Sequence, residues 1–263
     1  MSNFPCNEKN PFSPVREGVS VNKRMFKMKK MKLDARLLAV ASLVRKGAYL
    51  ADVGTDHAYL PVHLAECGII SNGIASDIHK GPLDSADKNI REAGFSDKIQ
   101  TLLADGLQGI EKYPVTDIVI AGMGGLMIRN ILEKAQFLRN KDREKEPLHL
   151  ILQPMQHIPE LRRYLAENGF SIKEEKQALA DGKFYQIILA VYDGEVREYT
   201  ELELLIGKYN IEHKQENKEN FLRLCARQTE VLQEKISGLE KGGRSAEKER
   251  SLYKAIEENL RDL

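Results

Sequence analysis

Residues 51–61 read Ala-Asp-Val-Gly-Thr-Asp-His-Ala-Tyr-Leu-Pro, and they close the first short apolar run of the chain. A strand that opens into a loop before a helix is where doubly wound α/β sheets bind their ligands. Gly54 allows backbone to approach a ligand closely, and the helix that follows offers free amides at its N-terminus. A dinucleotide site would need the pattern GxGxxG here, but the loop has one glycine and two acids. The segment therefore predicts a ligand site of another kind at the end of a first strand.

Short apolar runs bounded by turn residues alternate with helical patterns around this loop. The runs lie at 49–53, 73–76, 99–103, 117–121 and 148–152, and the helical patterns lie near 60–67, 82–93, 126–135 and 158–168. A further helix precedes them, with Asp34 predicted as its N-cap and Gly47 as the glycine just past its end. This alternation predicts βαβ units and a mostly parallel sheet that is covered on both faces.

The sheet is predicted to end in an antiparallel hairpin. Residues 171–180 and 184–192 are two extended runs joined by Asp181-Gly182-Lys183, and Asp-Gly between such runs is a strong hairpin signal. This layout is typical of class I methyltransferases and unusual for dinucleotide-binding sheets. The two acids of the 51–61 loop agree with it, because acids repel a pyrophosphate but suit the cationic methionine end of S-adenosylmethionine. We therefore predict an α/β fold of the class I methyltransferase (Rossmann-like) type.

Beyond Val196 the apolar density falls and the charges crowd. Apolar residues recur at steps of three and four from Leu222 to Leu239 and, after Gly242-Gly243, from Tyr253 to Leu263. We interpret residues 197–263 as a small helical coiled-coil domain behind a methyltransferase domain at 31–196. Two roles remain open for it, a packing appendage and an arm that grips the substrate.

The N-terminus is basic although the 263-residue chain has a net charge of only +1. Residues 1–36 hold nine Lys and Arg against three acids. Such an excess can contact phosphates, and it is equally typical of a solvated tail. We interpret residues 1–30 as a basic extension and expect it to be disordered.

Composition excludes several classes of protein. No stretch has the apolar length of a membrane span, and the first 30 residues lack the apolar core of a signal peptide. We therefore expect a cytoplasmic protein. Cys6, Cys67 and Cys225 lie far apart without CxxC spacing, so neither a disulfide framework nor a zinc site is signalled. No metal is expected, and no obligate protein partner is evident.

Two more acids stand at the predicted ends of strands. Asp77 follows the second strand at the separation expected for a ribose-binding acid, where a carboxylate can accept both ribose hydroxyls. The alternative makes Asp77 a cap for the next helix. Asp105-Gly106 follows the third strand, where Asp105 can accept from the adenine amine of the donor or simply occupy a turn.

The fourth strand runs into Gly122-Met123-Gly124-Gly125, and such glycines allow backbone to lie close to a ligand. Enzymes of this class that methylate a base amine usually carry Asp/Asn-Pro-Pro-aromatic here, and this chain does not. An amine must lose a proton on alkylation, whereas N1 of adenine already presents a free lone pair. Attack at N1 needs positioning more than a base.

The product of N1 methylation is a cation, so a nearby carboxylate would stabilise it. Asp56, with His57 and Tyr59 beside it, is our candidate for the reaction centre. The alternative makes Asp56 the N-cap of the following helix and His57 a half-buried spectator.

These loops resemble the TrmK family of bacterial tRNA (adenine-22 N1)-methyltransferases. The matching elements are the Arg36-Leu37 start of the first helix, D-V-G-T-D-H-A-Y-L-P at 52–61, S-D-I-H-K-G-P at 76–82, A-D-G-L at 104–107, I-A-G-M-G-G at 120–125 and Q-P-M at 153–155. The resemblance runs from about Lys32 to the C-terminus, since the family also carries a helical coiled-coil domain behind the catalytic one.

The resemblance implies a tRNA methylated at N1 of adenine 22 in its D arm, with S-adenosylmethionine as donor and the helical domain helping to hold the RNA. It implies a donor site at Arg36, Asp52, Gly54, Asp77, Ile78, Asp105, Gly106, Gly122, Met123 and Gly124. Two alternatives remain, a class I methyltransferase for another base or a small molecule, and a non-catalytic RNA-binding protein of the same fold.

Overall fold

The computed structural model describes residues 33–140 and 147–263. Its first part contains α1 (Ala35–Ala41), β1 (Ala48–Val53), α2 (Tyr59–Glu66), β2 (Ile70–Asp77), α3 (Lys80–Glu92), β3 (Ile99–Leu103), β4 (Asp117–Met123) and α4 (Gly125–Lys134). Then come β5 (His149–Pro154), α5 (Ile158–Glu167), β6 (Phe170–Ala180), β7 (Lys183–Tyr192), α6 (Glu201–Ile206), α7 (Lys208–Glu212), α8 (Lys218–Lys241) and α9 (Glu247–Arg261). The basic segment 1–30 lies outside the described residues.

The seven strands form one sheet in the order β3-β2-β1-β4-β5-β7-β6. The first five strands are parallel, and β7 runs antiparallel to both β5 and β6. Asp181 and Gly182 both have positive φ, 49° and 71°, as a two-residue hairpin turn requires. The predicted class I methyltransferase layout is confirmed, including its final hairpin.

Alternation along the strands divides the core into two layers. Leu50, Val119 and Ile151 belong to the layer that includes residues of α1, α2 and α3. Ala51, Ile120 and Leu152 belong to the opposite layer, with residues of α4 and α5. The parallel strands are therefore buried on both faces, which leaves their carboxyl ends and loops as the free edge for a site.

The first helix differs from the prediction. Asp34 caps it, accepting from the Leu37 amide at 2.7 Å, but the helix ends at Ala41. Arg45 leaves the helical path because its backbone and side chain both bind the buried carboxylate of Asp117, at 2.9 and 2.8 Å. Gly47 lies in the turn that follows, with a φ of 83°, and does not end the helix.

Helices α8 and α9 pack together around a third apolar cluster, against which Phe184 of β7 also packs. Phe221, Leu224, Cys225, Leu232 and Ile256 are buried in it, whereas Leu222 is exposed. The predicted seam thus differs at its start, where Phe221 and Leu224 are buried and Leu222 is not, and α8 contacts both α6 and α9. Among the described residues, no helix combines the length and apolar character that a membrane crossing requires.

Candidate active site

A cavity of about 610 Å³ opens at the carboxyl ends of β1, β2, β3 and β4. This volume lies within the range of small-molecule sites. Six of the predicted donor-site residues line it: Gly54, Asp77, Ile78, Asp105, Gly106 and Met123. Apolar side chains from Met127, Ile131 and Phe137, on and just beyond α4, form much of the rest of the wall.

Asp77 turns its carboxylate toward this cavity at the end of β2. Its side chain is 15% exposed, and Oδ1 accepts from the backbone amide of His79 at 2.7 Å. Helix α3 begins at Lys80 with His79 as its N-cap, so Asp77 does not cap it. His79 Nδ1 also lies 3.3 Å from Oδ1, so Oδ2 is the oxygen left to accept hydrogen bonds from a ligand.

Asp105 and Gly106 stand opposite, after β3. The Asp105 carboxylate is half-exposed and lies 3.6 Å from the Lys134 ammonium. Gly106 has a φ of 59°, and a Cβ there would meet Ile131 at 3.1 Å. A glycine is therefore required where this turn passes the apolar wall.

Asp52 is buried beneath the loop of residues 54–58. Its carboxylate accepts from Thr55 Oγ1 at 2.6 Å. Burial raises the pKa of Asp52 to about 6, and the Thr55 hydrogen bond partly offsets that effect. Above Asp52, Gly54 has a φ of 73°, and a Cβ on it would overlap the Met123 methyl group. The first and fourth strand loops therefore touch directly across the cavity.

A buried glutamine joins three elements beside this cavity. Gln153 Oε1, at the end of β5, accepts from the Gly122 amide at 3.0 Å and from Arg36 Nη1 at 2.8 Å. Its Nε2 donates to the Pro154 carbonyl at 3.0 Å, which fixes the orientation of the amide. Arg36 also lies over the ring of Tyr185, with its Cζ 5.8 Å from the ring centroid.

The three predicted catalytic residues lie in the loop after β1 and at the first residue of α2. His57 and Ala58 both have positive φ, 61° and 55°, which costs energy for residues with a Cβ and marks loops under functional constraint. The His57 ring stacks on Tyr59 at 5.2 Å and lies 3.1 Å from the Asp56 carboxylate. Ala58 is the N-cap of α2, which has no side-chain cap, so Asp56 does not cap this helix.

The structure thus gathers the predicted residues at one edge of the sheet but in different positions. Four predicted donor residues, Arg36, Asp52, Gly122 and Gly124, do not line the cavity, and neither do Asp56, His57 and Tyr59. Gln153 and Tyr185 are not among the site residues predicted from the sequence. The Q-P-M motif contained a signal for Gln153, but nothing in the sequence pairs Tyr185 with Arg36. Within the described ranges, no group of three or more His, Cys, Asp or Glu could hold a metal ion.

Comparison with known proteins agrees with this geometry. A family model described as a methyltransferase domain matches residues 33–188. The tRNA (adenine(22)-N(1))-methyltransferase of Bacillus subtilis (strain 168) is 36% identical over 174 residues, covering 64% of this chain and 71% of that protein.

Two solved structures have the same architecture. Streptococcus pneumoniae Sp1610 in complex with S-adenosyl-L-methionine is 34% identical, with a TM-score of 0.73 over 87% of this chain and 100% of that one. The Bacillus subtilis m1A22 tRNA methyltransferase TrmK is 30% identical, with a TM-score of 0.69 over 88% of this chain and 97% of that one. This chain therefore belongs to the TrmK family of bacterial tRNA (adenine-22 N1)-methyltransferases, which are class I S-adenosylmethionine-dependent enzymes.

Proposed function

We propose that this protein transfers the methyl group of S-adenosylmethionine to N1 of adenine 22 in the D arm of tRNA. The observation that carries the proposal is the cavity that joins Asp77 and Asp105 to an apolar wall on α4. Such a cavity suits an adenosine, with a carboxylate for the ribose hydroxyls, an acceptor for the adenine amine and apolar atoms against the base. We assign the methyl transfer itself because this chain belongs to the TrmK family.

The donor supplies an electrophilic methyl group on a cationic sulfur. We assign the donor site to Gly54, Asp77, Ile78, Asp105, Gly106 and Met123 in the cavity wall, with Asp52, Gly122 and Gly124 at the methionine end. The buried Asp52 carries its charge beneath Gly54, where it favours the cationic groups of the donor.

The chain has no need of a proton acceptor at the target atom, because the N1 lone pair of adenine is free at neutral pH. Its own contribution is to hold donor and base in line and to stabilise the charge that the base acquires. Asp56 is our candidate for the second task, with His57 and Tyr59 beside it. The target base must leave its stack to reach this edge of the sheet.

We further propose that residues 31–196 form the catalytic domain and 197–263 a helical domain that supports tRNA binding. The relatives are bacterial tRNA-modifying enzymes, and their substrate is a cytoplasmic RNA, so we assign the reaction to the cytoplasm.

The test is nucleoside mass spectrometry of unmodified tRNA after reaction with the purified protein and S-adenosylmethionine. We expect 1-methyladenosine from a tRNA with adenine at position 22, and no product from the same tRNA with guanine there. Methylation of another nucleoside, or of small metabolites only, would favour a different acceptor. Donor binding without any product would favour a non-catalytic RNA-binding role.

A further inference from the structure

We propose that the ring of Tyr185, braced by Arg36, is the surface on which the target adenine stacks. The proposal rests on the proposed function, because it concerns the base that receives the methyl group. It departs from the sequence-based assignment of Arg36 to the donor site.

The placement of Tyr185 follows from alternation along β7. Tyr185 shares its face with Ile187 and Leu189, which pack in the layer of α1 and α2. Phe184 points to the other face and packs against the apolar cluster of α8 and α9. Because Leu152 pairs with Ile188, residues 183–185 reach beyond the carboxyl end of β5. A half-buried aromatic ring therefore stands at the edge of the sheet that carries the site.

Arg36 ties this ring to the reaction centre. Its guanidinium lies 5.8 Å from the Tyr185 centroid and donates to Gln153 Oε1 at 2.8 Å. The same oxygen accepts from Gly122, one residue before Met123, which lines the donor cavity. The Tyr185 ring is thus held at a fixed position relative to the loop of Gly122 and Met123, which lies between the ring and the cavity.

The methyl transfer requires a base-binding surface on the side of the moving methyl group that is opposite the donor. In-line transfer needs donor and acceptor on opposite sides of the moving methyl group. The N1 lone pair lies in the plane of adenine, so the base must be held by its faces with its edge toward the donor. Aromatic rings and guanidinium planes are the usual supports for unstacked bases. Tyr185 and Arg36 offer both beside Gly122, outside the cavity wall.

The test compares Tyr185→Leu, which removes the ring, with Tyr185→Phe, which keeps it. Tyr49→Leu is the matched control, since Tyr49 lies near the start of β1 and therefore at the amino ends of the parallel strands, away from the site. For each variant we would measure kcat/KM for tRNA, the Kd for S-adenosylmethionine by calorimetry, and the melting temperature.

We expect Tyr185→Leu to lower kcat/KM for tRNA by about tenfold or more, the scale of one base–aromatic contact. Donor affinity should stay within about twofold of wild type, since the ring is outside the cavity. Tyr185→Phe should recover most of the loss, because stacking needs the ring and not the hydroxyl. Tyr49→Leu should react like wild type.

Three results would overturn the proposal: a wild-type rate in Tyr185→Leu, a Phe variant as impaired as the Leu variant, or a parallel loss of donor affinity. Arg36→Lys gives an independent reading. It should raise KM for tRNA with donor affinity unchanged, and weakened donor binding would return Arg36 to the donor site. If the wild-type protein methylates a nucleoside other than adenine 22, the proposed function is wrong. The Tyr185 variants are then compared by their rates of methylating that nucleoside, so the two failures can be told apart.

Discussion

Arg162 and Glu175 form an ion pair of 2.8 Å in the interior of the protein, with side chains that are 0% and 1% exposed. Arg162 also donates to the carbonyl oxygens of Leu204 and Leu205 at 2.8 and 3.1 Å, in the last turn of α6. The second oxygen of Glu175 accepts from Asn210 on α7 at 2.9 Å. A buried polar network therefore fastens the start of the helical region to α5 and the final hairpin.

Replacing Arg162 with Met is expected to lower the free energy of unfolding by about 3–5 kcal/mol, because Glu175 would stay buried without its partner. Urea denaturation measures this. Arg163→Met is the matched control, since Arg163 is the neighbouring residue on α5 and pairs with Glu201 in an exposed contact. Such exposed pairs contribute only about 0.2–1 kcal/mol. Equal losses in the two variants would show that the buried pair adds no more stability than the exposed one.

The fold could be predicted closely where the signal is local. Each parallel strand appears in the sequence as a short apolar run, and Asp181-Gly182 marks the hairpin between the two extended runs with the residues that its positive φ values require. The end of α1 was missed because it depends on Arg45 binding Asp117, 72 residues further along the chain. No local pattern contains that contact.

The residues of the site also could be predicted only where the signal is local. Its acids and glycines could be picked out because each follows an apolar run, and parallel strands carry their loops to one edge. Gln153 and Tyr185 could not be placed, since their positions depend on contacts among α1, β5 and β7. Only the folded chain brings Arg36 to residues that lie 117 positions away or more.

Donor binding is expected to depend on pH through Asp52. Because burial raises the pKa of Asp52 to about 6, this carboxyl gains a proton as the pH falls through 6 and loses the charge that we propose attracts the donor. The Kd for S-adenosylmethionine should therefore be about tenfold weaker at pH 5 than at pH 7. The amino and carboxyl groups of the donor titrate outside this window.

Calorimetry at pH 5, 6 and 7 measures the effect, with Asp52→Asn as comparison. The Asn variant should bind weakly with little pH dependence, because it has no titrating group at this position. Parallel pH curves for the two proteins would assign the dependence to another group.

Asp77→Ala is expected to weaken donor binding by about 1–3 kcal/mol, because on our assignment the ribose hydroxyls would lose their acceptor. Asp77→Asn keeps an oxygen that can accept from the His79 amide. It therefore preserves the local turn while it changes the group that contacts the ligand. Asp84→Ala is the control, since Asp84 lies on α3 in an exposed pair with Lys80. Unchanged affinity in Asp77→Ala, measured by calorimetry, would remove this residue from the donor site.

Substitutions at the tip of the α8–α9 hairpin can test whether the helical region binds tRNA. Lys241 and Arg244 are exposed there. If they contact phosphates, replacing both with Gln should weaken tRNA binding and reduce its salt slope by about 1 for each charge. Donor affinity should not change. Lys254→Gln with Arg261→Gln is the control, as it removes two exposed charges from the rest of α9. Filter binding at several salt concentrations would distinguish an RNA-binding tip from one that only packs.

Asp56 should affect turnover and not folding. Its side chain is 83% exposed, lies 3.1 Å from His57 Nε2 and makes no capping hydrogen bond to α2. Asp56→Asn keeps the size and polarity of the side chain but removes the negative charge that we propose stabilises the cationic base. We expect turnover to fall by about tenfold or more, which corresponds to about 1.4 kcal/mol of transition-state stabilisation.

Single-turnover methylation of tRNA at saturating donor measures this loss directly, without a contribution from product release. The melting temperature and the donor Kd should both match wild type, because the residue neither caps a helix nor lines the cavity. Asp56→Glu is the informative partner: it restores the charge on a longer side chain, so it should recover part of the rate if the effect is electrostatic. A wild-type rate in Asp56→Asn would leave catalysis to the alignment of donor and base alone.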